Sequence, residues 1–440
     1  MANFIRNTNN FFYYFIFAHL IFWTLAPSLT NKNLPLDTIE HLAWASNLDW
    51  GFDKHPPASA FFPELFFQIF GAQDWAYYLL SQIFVLLSFF YVFKLSNEFL
   101  GNIKLSLISV LLLESIFFYN FTSPEFNVNI CQLPFWSIVV YYSWKIFEKK
   151  KIIIIDCFII SFFAAVGFLS KYLFIYLLVS IILFFIYIIF FKKLKKFDFR
   201  YFIILEIFFV LLIPHLIWLY NNDFITITYG LKRTGLETAN IFDNFKYPIL
   251  FLSKQIGILL PFFFLVSLLI KKLKFKFNLK DKKLIFLIFI NILPFLLIFI
   301  TSVITGSRIR TMWMAPFYLF LGLFFVYIFQ SQINIKKINS FLYTFLFLFF
   351  LSPVVYSFIS ITQTDKRTDY PGKEIATKVQ IIWNKDFDNE IQFVTGDEWK
   401  AGNLSYHLKS RPKWEGFTNN EILNKSSQFI CVDDVCLGRY

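Results

Sequence analysis

The chain has 440 residues, of which 57% are hydrophobic and only 16% charged, with 14 glycines and a formal net charge of +12. A soluble protein of this length would divide into domains with polar surfaces, and this composition excludes that class. The 65 phenylalanines, alongside abundant Ile, Lys and Asn, follow an overall compositional bias, so no aromatic cage is assigned on phenylalanine alone.

Apolar runs of about 20 residues recur, each long enough to cross a hydrocarbon core of roughly 30 Å. Eleven are read, at 10–28, 76–93, 105–121, 128–147, 152–169, 172–190, 202–220, 248–270, 284–304, 313–330 and 340–360. The first follows Arg6 as the apolar stretch of a signal peptide would. It is long, however, and no small-x-small site closes it, so it reads as a retained span. Between the first two spans, 29–75 holds Leu36-Asp37-Thr38-Ile39-Glu40-His41 and then Trp50-Gly51-Phe52-Asp53-Lys54-His55-Pro56-Pro57. Charge is costly beside a bilayer, which makes so dense a cluster a functional candidate. Residues 37–49 read as a short interfacial helix offering Leu42, Trp44 and Leu48 to the membrane surface, and 58–70 as a second. Ser170-Lys171 is a tight turn between spans five and six, and His215 falls at the middle of span seven, where it reads as a satisfied buried histidine.

Lys and Arg crowd alternate connections: Arg6; Lys94 and Lys104; Lys145 and Lys149 to Lys151; Lys192, Lys193, Lys195, Lys196 and Arg200; Lys271, Lys272, Lys274, Lys276, Lys280, Lys282 and Lys283; and Lys336 with Lys337. The connections between them are poorer in positive charge. This is the positive-inside pattern, and it holds only for an odd number of spans with the N-terminus cytoplasmic and the C-terminus outside. The net charge therefore reports orientation and anionic headgroups, not nucleic acid. Three large regions then share the outer side: 29–75; 221–246, with Asn221, Asn222, Asp223, Lys232, Arg233 and Glu237; and the tail from 361. In the tail, a helix at 372–384 and short strands such as 391–394 predict a small α/β domain at 361–440, beside a membrane domain at 1–360. There is no internal repeat. Cys131 and Cys157 fall in spans as packing residues. Cys431 and Cys436 lie in the exported tail, where an oxidising compartment permits a disulfide; two buried thiols are the alternative.

An acidic pair after the first span, a Trp-rich short helix and Gly51-Phe52-Asp53-Lys54-His55-Pro56-Pro57 together resemble the opening loop of family 39 and related glycosyltransferases. Phe126-Asn127-Val128-Asn129, Leu133-Pro134-Phe135-Trp136, Gly167-Phe168-Leu169-Ser170-Lys171-Tyr172 and Pro214-His215-Leu216-Ile217-Trp218 follow in the same order, so the resemblance covers about residues 10–320. It implies an all-α polytopic membrane protein of the GT-C fold, with about 11 transmembrane helices, interfacial helices in the first outer loop and a small C-terminal α/β domain. It also implies a polyprenyl-phosphate sugar donor. Bacterial aminoarabinose and galacturonic acid transferases acting on lipid A or lipopolysaccharide core are close in character.

Such transfer needs a carboxylate to take the acceptor's proton and cations to hold the departing phosphate. The resemblance implies Asp37 as general base, with Glu40 one turn onward to orient the acceptor. The same spacing also fits helix capping, Asp37 as N-cap and Glu40 three residues on, so both readings stand. Lys54 and His55, presented by Pro56-Pro57, are donor-phosphate candidates, with Lys171, Arg308 and Arg310; each also reads as an interfacial anchor. Glu125 falls where aminoarabinose transferases place a second acid, although Phe-Asn-Val-Asn follows it here. Asn127, Asn129 and Tyr172 are candidates for sugar or acceptor hydroxyls. No metal set is assigned, and whether a divalent metal joins Glu40, His55 and His215 is left open. The expectation is an inverting glycosyltransferase of the bacterial inner membrane, working at its periplasmic face on a lipid or glycolipid acceptor. Transfer to protein Ser or Thr is the rival within enzymes, and a lipid or polysaccharide transporter the rival outside them.

Overall fold

Inside a bilayer every backbone polar group must be paired within the protein, and a chain this apolar meets that demand with helices. The computed structural model describes residues 8–236, 240–270, 278–333, 338–418, 420–432 and 434–440. Arg6, Glu237, Lys271, Lys272, Lys274, Lys276, Lys336 and Lys337 lie outside the described residues. Helix α1 (Thr8–Thr30) is followed by α2 (Leu36–Ser46) and α3 (Ala58–Phe70) in the first loop, then α4 (Asp74–Leu100). Next come α5 (Ile103–Leu111), prolonged by 3-10 turns, then α6 (Val128–Glu148), α7 (Ile154–Ser170), α8 (Ile175–Ile186), α9 (Arg200–Asn221) and the short α10 (Ile225–Arg233). The bundle closes with α11 (Asp243–Leu269), α12 (Lys282–Thr305), a 3-10 segment (Thr311–Tyr318) leading into α13 (Leu321–Phe329), and α14 (Ile338–Thr362).

All eleven expected spans are largely helical, but the described helices that are long and apolar enough to cross a membrane number seven, or eight if the bent pair Thr311–Tyr318 and Leu321–Gln332 is one span. The protein is a multi-pass membrane protein. The expected spans outside that set are 105–121, 128–147 and 152–169, and the helix α6 shows why hydropathy is a poor guide to them. It packs against α4 and α7, and 18 of its 21 residues are buried. A helix sheathed by other helices meets little lipid and can carry Asn129, Gln132 and Lys145. Deep in the same bundle His19 of α1 bonds Glu114 and, at 3.0 Å, Gln82; Gln82 Nε2 donates to Ser123 at 3.2 Å. Expensive intramembrane polarity is thus paired locally.

The tail folds as α15 (Gly372–Asp386), β1 (Phe393–Thr395), α16 (Lys400–His407), β2 (Lys413–Trp414), α17 (Asn420–Lys425), β3 (Gln428–Val432) and β4 (Val435–Arg439). Its sheet runs β2-β1-β4-β3, with β1 and β2 parallel and the other pairs antiparallel. Cys431 and Cys436 are disulfide-bonded across the β3–β4 hairpin, while Cys131 and Cys157 are buried free thiols. The tail shares one core with the first loop: Trp383, Val394, Leu404 and Trp414 cluster with Trp44 and Phe52. Leu42 and Trp44, expected at the membrane surface, are fully buried; Leu48 is exposed. The reason is competition for the same apolar face, which α16 and β2 cover. Polar ties pin the contact, among them Tyr406 Oη to Asp74 at 2.7 Å and Trp414 N–H to Ser46 at 2.8 Å.

Helix α13 meets α5 so closely that a Cβ on Gly322 would lie 2.0 Å from the Ser109 carbonyl oxygen. Backbone on one side and a helix on the other leave nothing soft to yield. Gly322→Ala is therefore expected to destabilise the bundle by about 1–3 kcal/mol, read as a lower thermal midpoint in detergent; an unchanged midpoint would contradict this packing.

Candidate functional site

Helix α2 begins after Pro35, whose side chain makes no capping bond. Neither Asp37 nor Glu40 caps it. The Asp37 amide instead donates to Glu125 Oε1 at 3.1 Å, from the loop before α6, and Thr38 Oγ1 donates to the Phe126 carbonyl at 3.2 Å. A distant loop thus takes over the helix end, and the Asp37 carboxylate accepts no hydrogen bond from any described residue. It faces a cavity of about 310 Å³, at the lower end of the range for small-molecule sites.

Glu40, one turn onward, also lines this cavity, but it is engaged. Lys54 Nζ donates to Glu40 Oε1 at 2.8 Å and pairs with Glu398 Oε1, from the β1–α16 turn, at 3.0 Å. Burial alone would lower the Lys54 pKa; the two carboxylates outweigh it and hold it well above the ordinary lysine value. Burial raises Glu40, and Lys54 opposes that rise. Burial likewise raises Asp37, against the pull of Lys171, Arg233 and Lys54. His55 and His41 both line the cavity, with rings nearly parallel and centroids 6.5 Å apart. Burial lowers both, His41 to about 4, so each is a neutral imidazole at pH 7.

Across the cavity Lys171 ends α7 in extended conformation. Its Nζ donates to Asn129 Oδ1 at 2.5 Å and sits 5.0 Å from the Trp313 ring centroid. Tyr172 lines the cavity as well, and its hydroxyl is bonded to His215 Nε2 at 2.7 Å. The other His215 nitrogen meets the Trp50 carbonyl at 2.6 Å. Both of its ring nitrogens are therefore occupied, and no group of three His, Cys, Asp or Glu among the described residues is arranged to hold a metal.

The expected residues thus separate. Asp37, Glu40, Lys54, His55, Asn129, Lys171 and Tyr172 line one cavity. Asn127 and Glu125 stand behind it: the Asn127 side chain caps α6, accepting from the Asn129 and Ile130 amides, and Glu125 holds the start of α2. Arg308 and Arg310 are not in the lining. The Arg308 amide donates to the Thr234 carbonyl at 2.9 Å, and Arg310 feels the charges of Arg233 and Arg308. Sequence reasoning missed His41, Tyr229, Arg233 and Trp313 in the lining, and Glu398 on Lys54. His41 and Arg233 lay in flagged loops, so a stricter reading of those loops had the signal; Glu398 had none.

Residues 54–218 match the family described as dolichyl-phosphate-mannose-protein mannosyltransferase. No curated protein matches the chain. Among solved structures it is similar to ArnT from Cupriavidus metallidurans bound to undecaprenyl phosphate, with a TM-score of 0.60 at 13% identity over 94% of this chain and 87% of that one.

The fold is that of ArnT. The apo state of ArnT agrees, with a TM-score of 0.62 at 12% identity over 94% of this chain and 86% of that one. The expected resemblance is borne out at the level of the fold, and the likeness to ArnT extends over 94% of the chain, beyond the 10–320 stretch that the sequence motifs covered.

Burial, then the charge of Asp37, pushes Glu125 up to about 8, with the Asp37 amide opposing. Its folded pKa lies above its unfolded value, so its contribution to stability is present at low pH and lost as pH rises from about 4.5 to about 8. Glu125→Gln keeps the acceptor oxygen and removes the titration. Thermal midpoints in detergent between about pH 5 and 8 should fall less steeply for the variant; parallel curves would contradict the assignment.

Proposed function

We propose that the protein is an inverting glycosyltransferase that takes its sugar from a polyprenyl-phosphate donor. The observation that carries this reading is the Asp37 carboxylate, unbonded in a cavity whose other acid, Glu40, is already paired. An acceptor hydroxyl attacks C1 of the sugar as Asp37 takes its proton. The C1–O bond to phosphate breaks, and polyprenyl phosphate leaves with the electron pair. Raised by burial, Asp37 is a stronger base than an exposed carboxylate.

The leaving phosphate goes to Lys171 and Arg233, with Arg310 and Arg308 beyond. Burial draws Lys171 toward its neutral form and Asp37 pulls it back; the donor's anionic phosphodiester favours its charged form, and the second negative charge that develops as polyprenyl phosphate leaves favours it further. Lys54, already neutralised by two carboxylates, positions Glu40, and His55 offers a neutral N–H. Should a divalent metal join the site, Glu40 and Asp37 are the acids facing the cavity. The acids and cations of the site gather at one end of the bundle, which favours an enzyme over a transporter with its site at the midplane.

The acceptor in this reading is a lipopolysaccharide component, lipid A or core sugar, met at the periplasmic face of the inner membrane with the N-terminus cytoplasmic and the tail, residues 361–440, a periplasmic domain. Lysine-rich connections at the far end of the bundle support that orientation. The match to a protein mannosyltransferase family favours a second reading, transfer to protein hydroxyls.

Mass spectrometry of lipid A, core and exported proteins from a deletion strain separates these. The expected result is loss of one sugar mass from the glycolipid, restored by the wild-type gene. Asp37→Asn should reduce the transfer rate by roughly 10²–10⁴-fold at normal expression. A mass change confined to protein would favour the second reading, and full modification by Asp37→Asn with Glu40→Gln would overturn the enzyme.

A further inference from the structure

Helix α6 runs from Asn129 in the site to Glu148, about 30 Å away at 1.5 Å per residue, and there a second cavity opens. It has a volume of about 810 Å³ and lies among the connections after α6, before α9 and before α12. Seven lysines and three carboxylates line it. Two of the carboxylates are engaged: Asp198 pairs with Arg200 at 3.1 Å, and Asp281 accepts from Tyr327 Oη at 2.6 Å.

Three of the lysines are engaged too, in closing helix ends. Lys195 Nζ donates to the Phe147 and Lys149 carbonyls at 2.8 and 3.0 Å. Lys283 Nζ donates to the Glu98 and Phe99 carbonyls at 2.8 and 3.0 Å, and Lys149 pairs with Asp156 at 2.5 Å. Cations at the carbonyl ends of α4 and α6 offset the helix dipoles and satisfy open acceptors. Lys150, Lys196, Lys280 and Lys282 remain, exposed around the same space and without a partner among the described residues.

The wall is amphipathic. Trp144 and Phe147 are its buried apolar lining, while Leu194 and Phe197 line it at 42% exposure each. Phe191 and Phe199 beside them are 75% and 79% exposed. A soluble polyanion would use the lysines and leave this apolar surface in water. A phospholipid uses both, its phosphate among the lysines and its chains along the phenylalanines. The cavity also lies where α4 and α6 end and α9 and α12 begin, at the face of the bundle opposite the Asp37 cavity.

We propose that this cavity binds the headgroup of an anionic phospholipid. The test uses the purified full chain in neutral detergent, with thermal unfolding followed as phosphatidylglycerol, phosphatidylethanolamine or inorganic phosphate is added. Phosphatidylglycerol should raise the midpoint saturably, and the other two should not. Substituting Lys150, Lys196, Lys280 and Lys282 together by Gln should weaken the apparent affinity roughly tenfold or more, with the lipid-free midpoint unchanged. Gln at Lys373, Lys378 and Lys385, exposed on α15 in the tail, should leave the shift intact. Equal shifts with phosphatidylethanolamine, an undiminished shift in the fourfold variant, or the same loss in the tail variant would overturn the proposal. A shift with inorganic phosphate alone would overturn the lipid and leave a soluble anion site.

Discussion

The Lys54 ammonium, held at 2.8 Å from Glu40 and 3.0 Å from Glu398, decides how the charges of the site are shared. One cation occupies two carboxylates, one from α2 and one from the tail, all largely withdrawn from water. Desolvation makes such a pair a weak source of net stability, and its worth lies in the geometry it fixes. With Glu40 satisfied, Asp37 is the acid on the same face left without a bonding partner. With Lys54 engaged by two carboxylates, Lys171 and Arg233 are the other basic side chains lining the cavity. The tail is thereby part of the site's construction, since it supplies Glu398 and buries the apolar face of α2.

The backbone cooperates with this division. Glu125 receives the Asp37 amide, so a loop far away in sequence closes the first turn that Asp37 would otherwise have to cap. That loop is itself anchored downward: Ser123 bonds Gln82, which bonds His19, which bonds Glu114 within the bundle. A polar chain in an apolar interior is costly to leave half-made and correspondingly specific when complete. The membrane helices therefore do more than hold the site at the right height.

Much of this was legible in the sequence. Apolar runs located the helices, and Pro-Pro after the charged cluster marked where α3 begins. The ordered first-loop residues brought the correct fold, and seven expected site residues line one cavity. What was not legible depended on partners distant in the chain. Hydropathy does not separate membrane-long helices from α6, which carries its polar residues inside the bundle, or from α7, which has only 17 residues, and it assigned Leu42 and Trp44 to the membrane because nothing local announces that the tail covers them. The Asp37–Glu40 spacing suited both a cap and a catalytic pair, and that Glu125 takes the helix end in place of a cap is not legible in it. Lys54 read as a phosphate ligand for the same reason: its second carboxylate, Glu398, comes from a tail turn with no motif.

The central claim is that the anion of the donor is held opposite Lys54, beside a carboxylate free to act as base. A cryo-EM structure of the full chain in nanodiscs with bound polyprenyl phosphate tests it directly. The account predicts phosphate oxygens within hydrogen-bond reach of Lys171 and Arg233, with the Lys54–Glu40–Glu398 contacts intact and the Asp37 carboxylate unbonded beside the site. A phosphate seated on Lys54, with either carboxylate displaced, would contradict it.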